Sequence, residues 1–246
     1  MRKTDIRGII FDFGGTLDTG GDHWFQVFYD CTRALGYNFA EETFRQAYIY
    51  GEKSVSKISP AFIENPVSEF YREILTTKLI GQAEYLLSSG GVKNFSRQEY
   101  IIRMRNYAYG IAWDATRKAE KVLEALHPFY QMGIVSNYYG CLSSVLTELG
   151  LKRYFGIVID SACVDLRKPN PEIFLKGIEK FKFKPEEILV VGDSFTNDIE
   201  PAASLGCRTV WLKRRGWDDV TQKSCEASQQ TMVIKDLEQL KTICGL

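Results

Sequence analysis

Four short polar segments carry residue types that together could perform phosphoryl chemistry. In chain order they are Asp12-Phe13-Gly14-Gly15-Thr16-Leu17, Ser136-Asn137, Arg167-Lys168-Pro169-Asn170-Pro171 and Gly192-Asp193-Ser194-Phe195-Thr196-Asn197-Asp198. A carboxylate in a low-dielectric cleft repels an incoming phosphate dianion unless a divalent cation cancels the repulsion, and hard Mg²⁺ takes oxygen ligands for that task. Asp12 and Asp193 could supply two of them. The Ser136 hydroxyl, the backbone amides around Asn137 and the Lys168 ammonium would hold the remaining phosphoryl oxygens. Asp12 would then attack phosphorus in line, forming an aspartyl-phosphate that water hydrolyses. Singly, each segment has a plainer reading. Asp193 or Asp198 reads as a helix cap, Ser136-Asn137 as a turn, and Lys168 as an exposed lysine before a helix with Pro near its start. Their joint order along one pattern is what points to a site.

The segments sit at the ends of apolar runs rich in β-branched residues. These runs are Gly8–Phe13, Met132–Ser136, Ile157–Asp160, Ile188–Gly192 and Thr209–Leu212. Helical patterns separate them at Arg117–Tyr130, Cys141–Leu149, Pro171–Phe181, Thr196–Leu205 and Asp236–Ile243. Continuous apolar strands alternating with amphipathic helices predict an α/β fold, a Rossmann-like doubly wound parallel sheet covered on both faces. Ligands in such sheets bind at the carboxyl ends of the strands. Residues from about Thr19 to Trp113 break the alternation. They offer aromatic-rich helical patterns near His23–Leu35, Glu41–Tyr50, Pro66–Ile80 and Ser96–Tyr109, which predicts an inserted helical domain rather than a long loop. The pairs Gly20-Gly21 and Gly90-Gly91 are candidate joints. Most of the insert's aromatics are expected to form its own core.

Composition bounds the partners. The chain of 246 residues is 45% hydrophobic and 25% charged, with 31 basic and 31 acidic residues, so its formal net charge is zero. That balance argues against nucleic acid as the main ligand. The basic run Lys213-Arg214-Arg215 reads as a solvated turn. No stretch approaches the roughly 20 apolar residues of a membrane span. Six scattered cysteines form no C-x-x-C pair, which favours free thiols and a cytoplasmic setting.

The same four segments resemble the motifs of the haloacid dehalogenase-like (HAD) superfamily. Asp12-Phe13-Gly14-Gly15-Thr16-Leu17 is similar to motif I, Ser136-Asn137 to motif II, Lys168 in the K-P-N-P-E-I-F stretch to motif III, and the G-D-S-F-T-N-D run to motif IV. The resemblance implies a core of residues 1–18 and 114–246 with a helical C1-type cap at 19–113. It also implies cytoplasmic, Mg²⁺-dependent hydrolysis of a small phosphorylated substrate. Asp12 and Lys168 would be catalytic, with Ser136, Asn137 and Lys168 binding substrate. Asp12, Asp193, Asp198 and the Gly14 backbone carbonyl would attend the metal, Asp198 through a water or paired with Lys168.

One position departs from that pattern. Phosphatases of the family carry a second Asp two residues after the nucleophile, which protonates the leaving oxygen. Here the residue is Gly14, and loss of such acid–base help costs about 10²–10⁴-fold. Asp18, Asp22 and His23 are candidate surrogates. The alternatives are a catalytically weakened binding or regulatory protein, a 2-haloacid dehalogenase, or a phosphonate hydrolase using a cap lysine among Lys53, Lys57, Lys78 and Lys93. Each of those lysines is expected to be exposed.

Overall fold

The computed structural model describes residues 5–64, 69–89, 96–217 and 231–246. Gly90-Gly91, Lys93, Cys225 and the first residues of the Pro66–Ile80 pattern lie outside them. The apolar runs form β1 (Gly8–Phe11), β2 (Gln131–Ser136), β3 (Ile157–Asp160), β4 (Ile188–Gly192) and β5 (Arg208–Leu212). Thr231–Ile234 adds β6, which the sequence patterns did not reveal. All neighbours pair in parallel in the order β3-β2-β1-β4-β5-β6. Strand order reverses between β1 and β4, so the crevice outside their carboxyl ends is the switch point where such sheets bind ligands.

Alternation along the strands gives the sheet two buried faces. Ile9, Phe11, Leu189 and Val191 pack with α4 (Arg97–Leu126) and α5 (Leu142–Glu148). Ile10, Val135 and Val190 turn the other way, toward Ile173, Phe174 and Ile178 of α7 (Glu172–Phe181), which follows the single turn α6 (Ser161–Val164). The short helices α8 (Glu200–Ser204) and α9 (Gln239–Ile243) complete the cover.

Between β1 and β2 the described residues contain no strand. They form α1 (Trp24–Ala34), α2 (Glu41–Glu64), α3 (Phe70–Ser88) and α4. Trp24, Phe25, Phe28, Phe44 and Tyr48 are buried, as expected of a cap core, whereas Tyr50, Tyr107 and Trp113 are exposed. The two helical patterns at Ser96–Tyr109 and Arg117–Tyr130 prove to be one 30-residue helix, about 45 Å long at 1.5 Å per residue. Gly110 and the exposed Trp113 interrupt the pattern but not the helix. No Cβ contact constrains Gly110, and the buried stripe Ala108, Ala112, Thr116, Ala119 runs straight past it. The N-terminal half of α4 packs on the insert, where Tyr100 donates to Gln82 Oε1 at 2.9 Å. Its C-terminal half packs on the sheet. No helix of the described residues is long and apolar enough to cross a membrane.

Candidate active site

The parallel register brings the polar ends of β1, β2 and β4 side by side. Phe11 pairs with both Ile134 and Val191, and the Asp12 N–H extends the ladder to the Val191 carbonyl at 2.9 Å. Asp12 therefore stands at the switch point with a fixed backbone. Its Oδ1 accepts from Ser136 Oγ at 2.8 Å and from Lys168 Nζ at 2.6 Å. Lys168 also donates to Asp198 Oδ1 at 2.5 Å and to the Val135 carbonyl at 3.2 Å. Burial alone would lower the Lys168 pKa, but the Asp12 and Asp198 carboxylates raise it above the usual lysine range, so the ammonium is retained.

Asp193 and Asp198 share the loop after β4, whose residues Phe195–Ile199 coil as a π-helical turn. Ligand oxygens of Asp12, Asp193 and Asp198 lie within 4.8 Å of one another, and all three residues are buried. Burial, followed by the charges of Asp198 and Asp12, pushes Asp193 well above the ordinary carboxylate range. Burial likewise lifts Asp198 to about 6 against the opposing pull of Lys168. Two glycines make room for these carboxylates. A Cβ on Gly15, at φ +97°, would sit 2.6 Å from the Asp193 oxygens, and one on Gly192 would sit 2.4 Å from the Asp198 Cβ.

Thr16 is a site residue that its place in the first segment did not single out. Its hydroxyl donates to Asp193 Oδ1 at 3.0 Å and accepts the Asp193 N–H at 3.0 Å, with a longer contact to Asp12 Oδ2 at 3.4 Å. A small β-branched hydroxyl residue in an otherwise apolar stretch was the available signal. Asn137 uses its side chain on the protein itself: Nδ2 donates to the Lys168 carbonyl and Oδ1 accepts the Lys168 N–H, at 3.0 and 2.9 Å. This pair fixes the backbone from which Lys168 reaches Asp12.

Gly14 lines the cavity beside Asp12. Its φ is not positive, and a Cβ there would meet nothing within 4 Å. The glycine is therefore not required by the backbone or by packing.

The candidate surrogates separate cleanly. Asp22 pairs with Arg215 at 2.8 Å and Arg214 at 3.5 Å, so the basic run expected to be solvated is a clamp onto the start of the insert. His23 caps α1, its Nδ1 accepting from Phe25 N at 3.1 Å, and burial lowers its pKa to about 4. Asp18 is buried and accepts from the Gly15 N–H, Trp24 Nε1 and the Tyr71 hydroxyl at 2.7, 2.9 and 2.9 Å. Burial lifts it to about 6. With three donors converging on it, Asp18 ties the β1 loop to α1 and α3.

Asp12, Ser136, Lys168, Asp193 and Asp198 open on one cavity of about 480 Å³, roofed by residues of α1, α2 and α3. Lys53 and Lys57 are exposed as expected, but Lys78 is buried in this cavity's wall and paired with Glu52 at 2.8 Å.

The family described as haloacid dehalogenase-like hydrolase matches residues 6–206. A glyceraldehyde 3-phosphate phosphatase of Pyrococcus furiosus is 40% identical over 68 residues, 28% of this chain and 28% of that protein. The chain spans between 28% and 57% of the length of the first curated relatives it matches. Among solved structures, the HAD hydrolase YfnB of Bacillus subtilis, bound to magnesium, is similar with a TM-score of 0.56 and 20% identity, over 98% of this chain and 99% of that one. An L-2-haloacid dehalogenase is similar with a TM-score of 0.60 and 17% identity, over 98% and 99%. At such identities the structural likeness establishes the fold.

Proposed function

This chain belongs to the haloacid dehalogenase-like hydrolase family, and we propose that it hydrolyses a small phosphorylated molecule through an aspartyl-phosphate on Asp12, with Mg²⁺ as its metal. The observation that carries the reading is the convergence of three buried carboxylates at the switch point with one lysine to offset them. Buried charge so poorly balanced is costly unless a cation joins it. The donor set is all oxygen, which suits a hard divalent ion. Asp12, Asp193 and the Gly14 carbonyl would hold it, with Asp198 close by and shared with Lys168. Bound there, Mg²⁺ would neutralise the carboxylates and draw charge from the phosphoryl oxygens.

The protein's own groups supply the rest. Ser136 and Lys168 hold Asp12 through Oδ1, orienting the carboxylate for in-line attack. As the Asp12 O–P bond forms, the ester O–P bond breaks, and the Ser136 hydroxyl and Lys168 ammonium, released by Asp12 as its charge is consumed, join the backbone amides near Asn137 on the phosphoryl oxygens. Water then attacks phosphorus, releasing inorganic phosphate and regenerating the Asp12 carboxylate. With Gly14 in place of an acid, the leaving oxygen takes its proton from water or from the substrate. Good leaving groups are favoured accordingly.

Residues 19–113 serve as the cap and residues 1–18 with 114–246 as the core, α4 passing from one to the other. A cap over the strand tips excludes water from the reaction. A small phosphorylated substrate accords with the relative named as a glyceraldehyde 3-phosphate phosphatase, and the free Cys31, Cys141, Cys163, Cys207 and Cys244 suit a reducing cytoplasm. Gly14 favours a second reading, a binding or regulatory protein with weakened turnover. The acidic Asp193 speaks against a dehalogenase. Lys78 speaks against a phosphonate hydrolase, because Glu52 holds it as an ammonium and a Schiff base needs the free amine. A screen of phosphorylated metabolites with and without Mg²⁺, run beside Asp12→Asn, tests the proposal. Mg²⁺-dependent phosphate release by the parent alone is expected; equal release by the variant would sink it.

A further inference from the structure

The cap side of the cavity contains a second polar cluster that the hydrolytic step does not use. Glu52 on α2 and Lys78 on α3 face each other at 2.8 Å, and the Tyr139 hydroxyl donates to Glu52 Oε2. Close packing of the two helices sets the pair. A Cβ on Gly51 would sit 2.5 Å from the Lys78 carbonyl, and one on Gly81 would sit 2.4 Å from Ser54 Oγ. All three members of the cluster line the cavity that holds Asp12 and Lys168, as do Tyr48 and Trp217.

Burial alone would raise Glu52, but Lys78 and Tyr139 hold its carboxyl below the usual range, so it is ionised. The Glu52 carboxylate also holds Lys78 as an ammonium. The cluster is thus a neutral pair of opposite charges. Stability does not account for it, since an ion pair drawn this far out of water, Lys78 buried and Glu52 half-buried, is commonly replaceable by apolar residues without loss. What it offers a ligand is a strong acceptor beside a strong donor.

Resting on the hydrolase reading above, we propose that this cluster selects phosphate esters whose far end is an uncharged hydroxylated carbon, such as a phosphorylated polyol or sugar. A hydroxyl accepts from the Lys78 ammonium while donating to the Glu52 carboxylate, so both charges are served by one group. A distal carboxylate or second phosphate reaches Lys78 only by facing Glu52, and a distal amine has the reverse conflict. Unmatched buried charges of this kind are what discriminate between substrates of one size. Tyr48 and Trp217, which pack on each other, add apolar surface to the same cavity wall.

The test compares kcat/KM within two matched pairs that differ only at the far carbon: glycerol 3-phosphate with 3-phosphoglycerate, and sorbitol 6-phosphate with 6-phosphogluconate. The hydroxylated member should be favoured by about tenfold or more in at least one pair. Glu52→Gln frees the Lys78 charge and should shift that ratio toward the carboxylate by about tenfold. The double change Glu52→Gln with Lys78→Met leaves no charge and should abolish the preference. A parent that favours the carboxylate in both pairs overturns the inference, as does a variant that slows both members of each pair equally, the mark of a structural role. Absence of Mg²⁺-dependent hydrolysis of all four esters and of p-nitrophenyl phosphate instead overturns the hydrolase reading, and this inference with it.

Discussion

The two ends of the cavity are built on opposite electrostatic plans. At the strand tips, Asp12, Asp193 and Asp198 face one ammonium among the described residues, that of Lys168. Under the cap, Glu52 and Lys78 cancel. An end left negative attracts a cation, and with it a phosphate; an end already neutral selects by hydrogen bonding. The contrast also follows the scaffold. The charged end rests on strand termini locked by parallel register, as precise positioning of reacting groups requires. The neutral end rests on two helices brought close by Gly51 and Gly81, away from the sheet register.

Changes to Lys168 and Lys78 should bring out this contrast most strongly. Lys168→Met removes the only cation that the described residues place among these buried carboxylates and should cost about 3–5 kcal/mol in metal-free denaturant unfolding. Lys78→Met leaves a partly exposed Glu52 and should cost clearly less. Equal losses would erase the distinction between the ends. Next in size is Gly14→Asp, for which the structure has space. It should raise turnover of alkyl phosphates by about 10²–10⁴-fold and of p-nitrophenyl phosphate far less, as steady-state rates on a variant of parent-like thermal transition will show. A uniform gain would mean that the acid is not what the site lacks.

Mg²⁺ should stabilise the fold by about 2.7 kcal/mol at a hundred times its Kd, and more at pH 8 than at pH 5. The sign follows from Asp193 and Asp198, whose folded pKa values lie above the unfolded 3.8, Asp198 at about 6. The Asp198 contribution to the metal-free fold is fully present below about pH 4 and is lost as pH rises through about 6, and Asp193 acts in the same direction. Over the same range the carboxylates become able to bind the ion. Thermal transitions at the two pH values with and without Mg²⁺ measure the difference, and a larger metal effect at pH 5 would contradict it. The smallest effect is expected at Asp18, where Asn would turn an amide N–H₂ toward Trp24 or Tyr71. A loss of about 1–3 kcal/mol in unfolding free energy is expected, without a change in the leaving-group dependence of turnover. A change in that dependence would make Asp18 the missing acid after all.

The strand-tip end was legible because polar residues closing apolar runs are conspicuous and a parallel sheet must align them. Asp12, Ser136 and Asp193 stand at such ends, Lys168 is read from the segment that opens the helix after β3 and Asp198 from the loop after β4, and the structure brings the five together. Other features depend on contacts that no local pattern encodes. The Glu52–Lys78 pair joins two residues 26 apart in sequence and exists because Gly51 and Gly81 let their helices approach. β6, Thr231-Met232-Val233-Ile234, is an edge strand whose short apolar run follows a polar stretch with no helical pattern, so the strand–helix alternation that marked the others is missing before it. In α4, Gly110 weakens local propensity, yet burial on both sides carries the helix through it.

The claim on which the rest depends, a phosphoryl group carried by Asp12, is tested most directly by acid-quenching the protein during turnover of a phosphate ester with Mg²⁺ and weighing its peptides. A phosphoryl adduct confined to the peptide containing Asp12, released by hydroxylamine and absent from Asp12→Asn, is the expected result. Steady hydrolysis with that peptide unmodified, at a rate that Asp12→Asn shares, would contradict it.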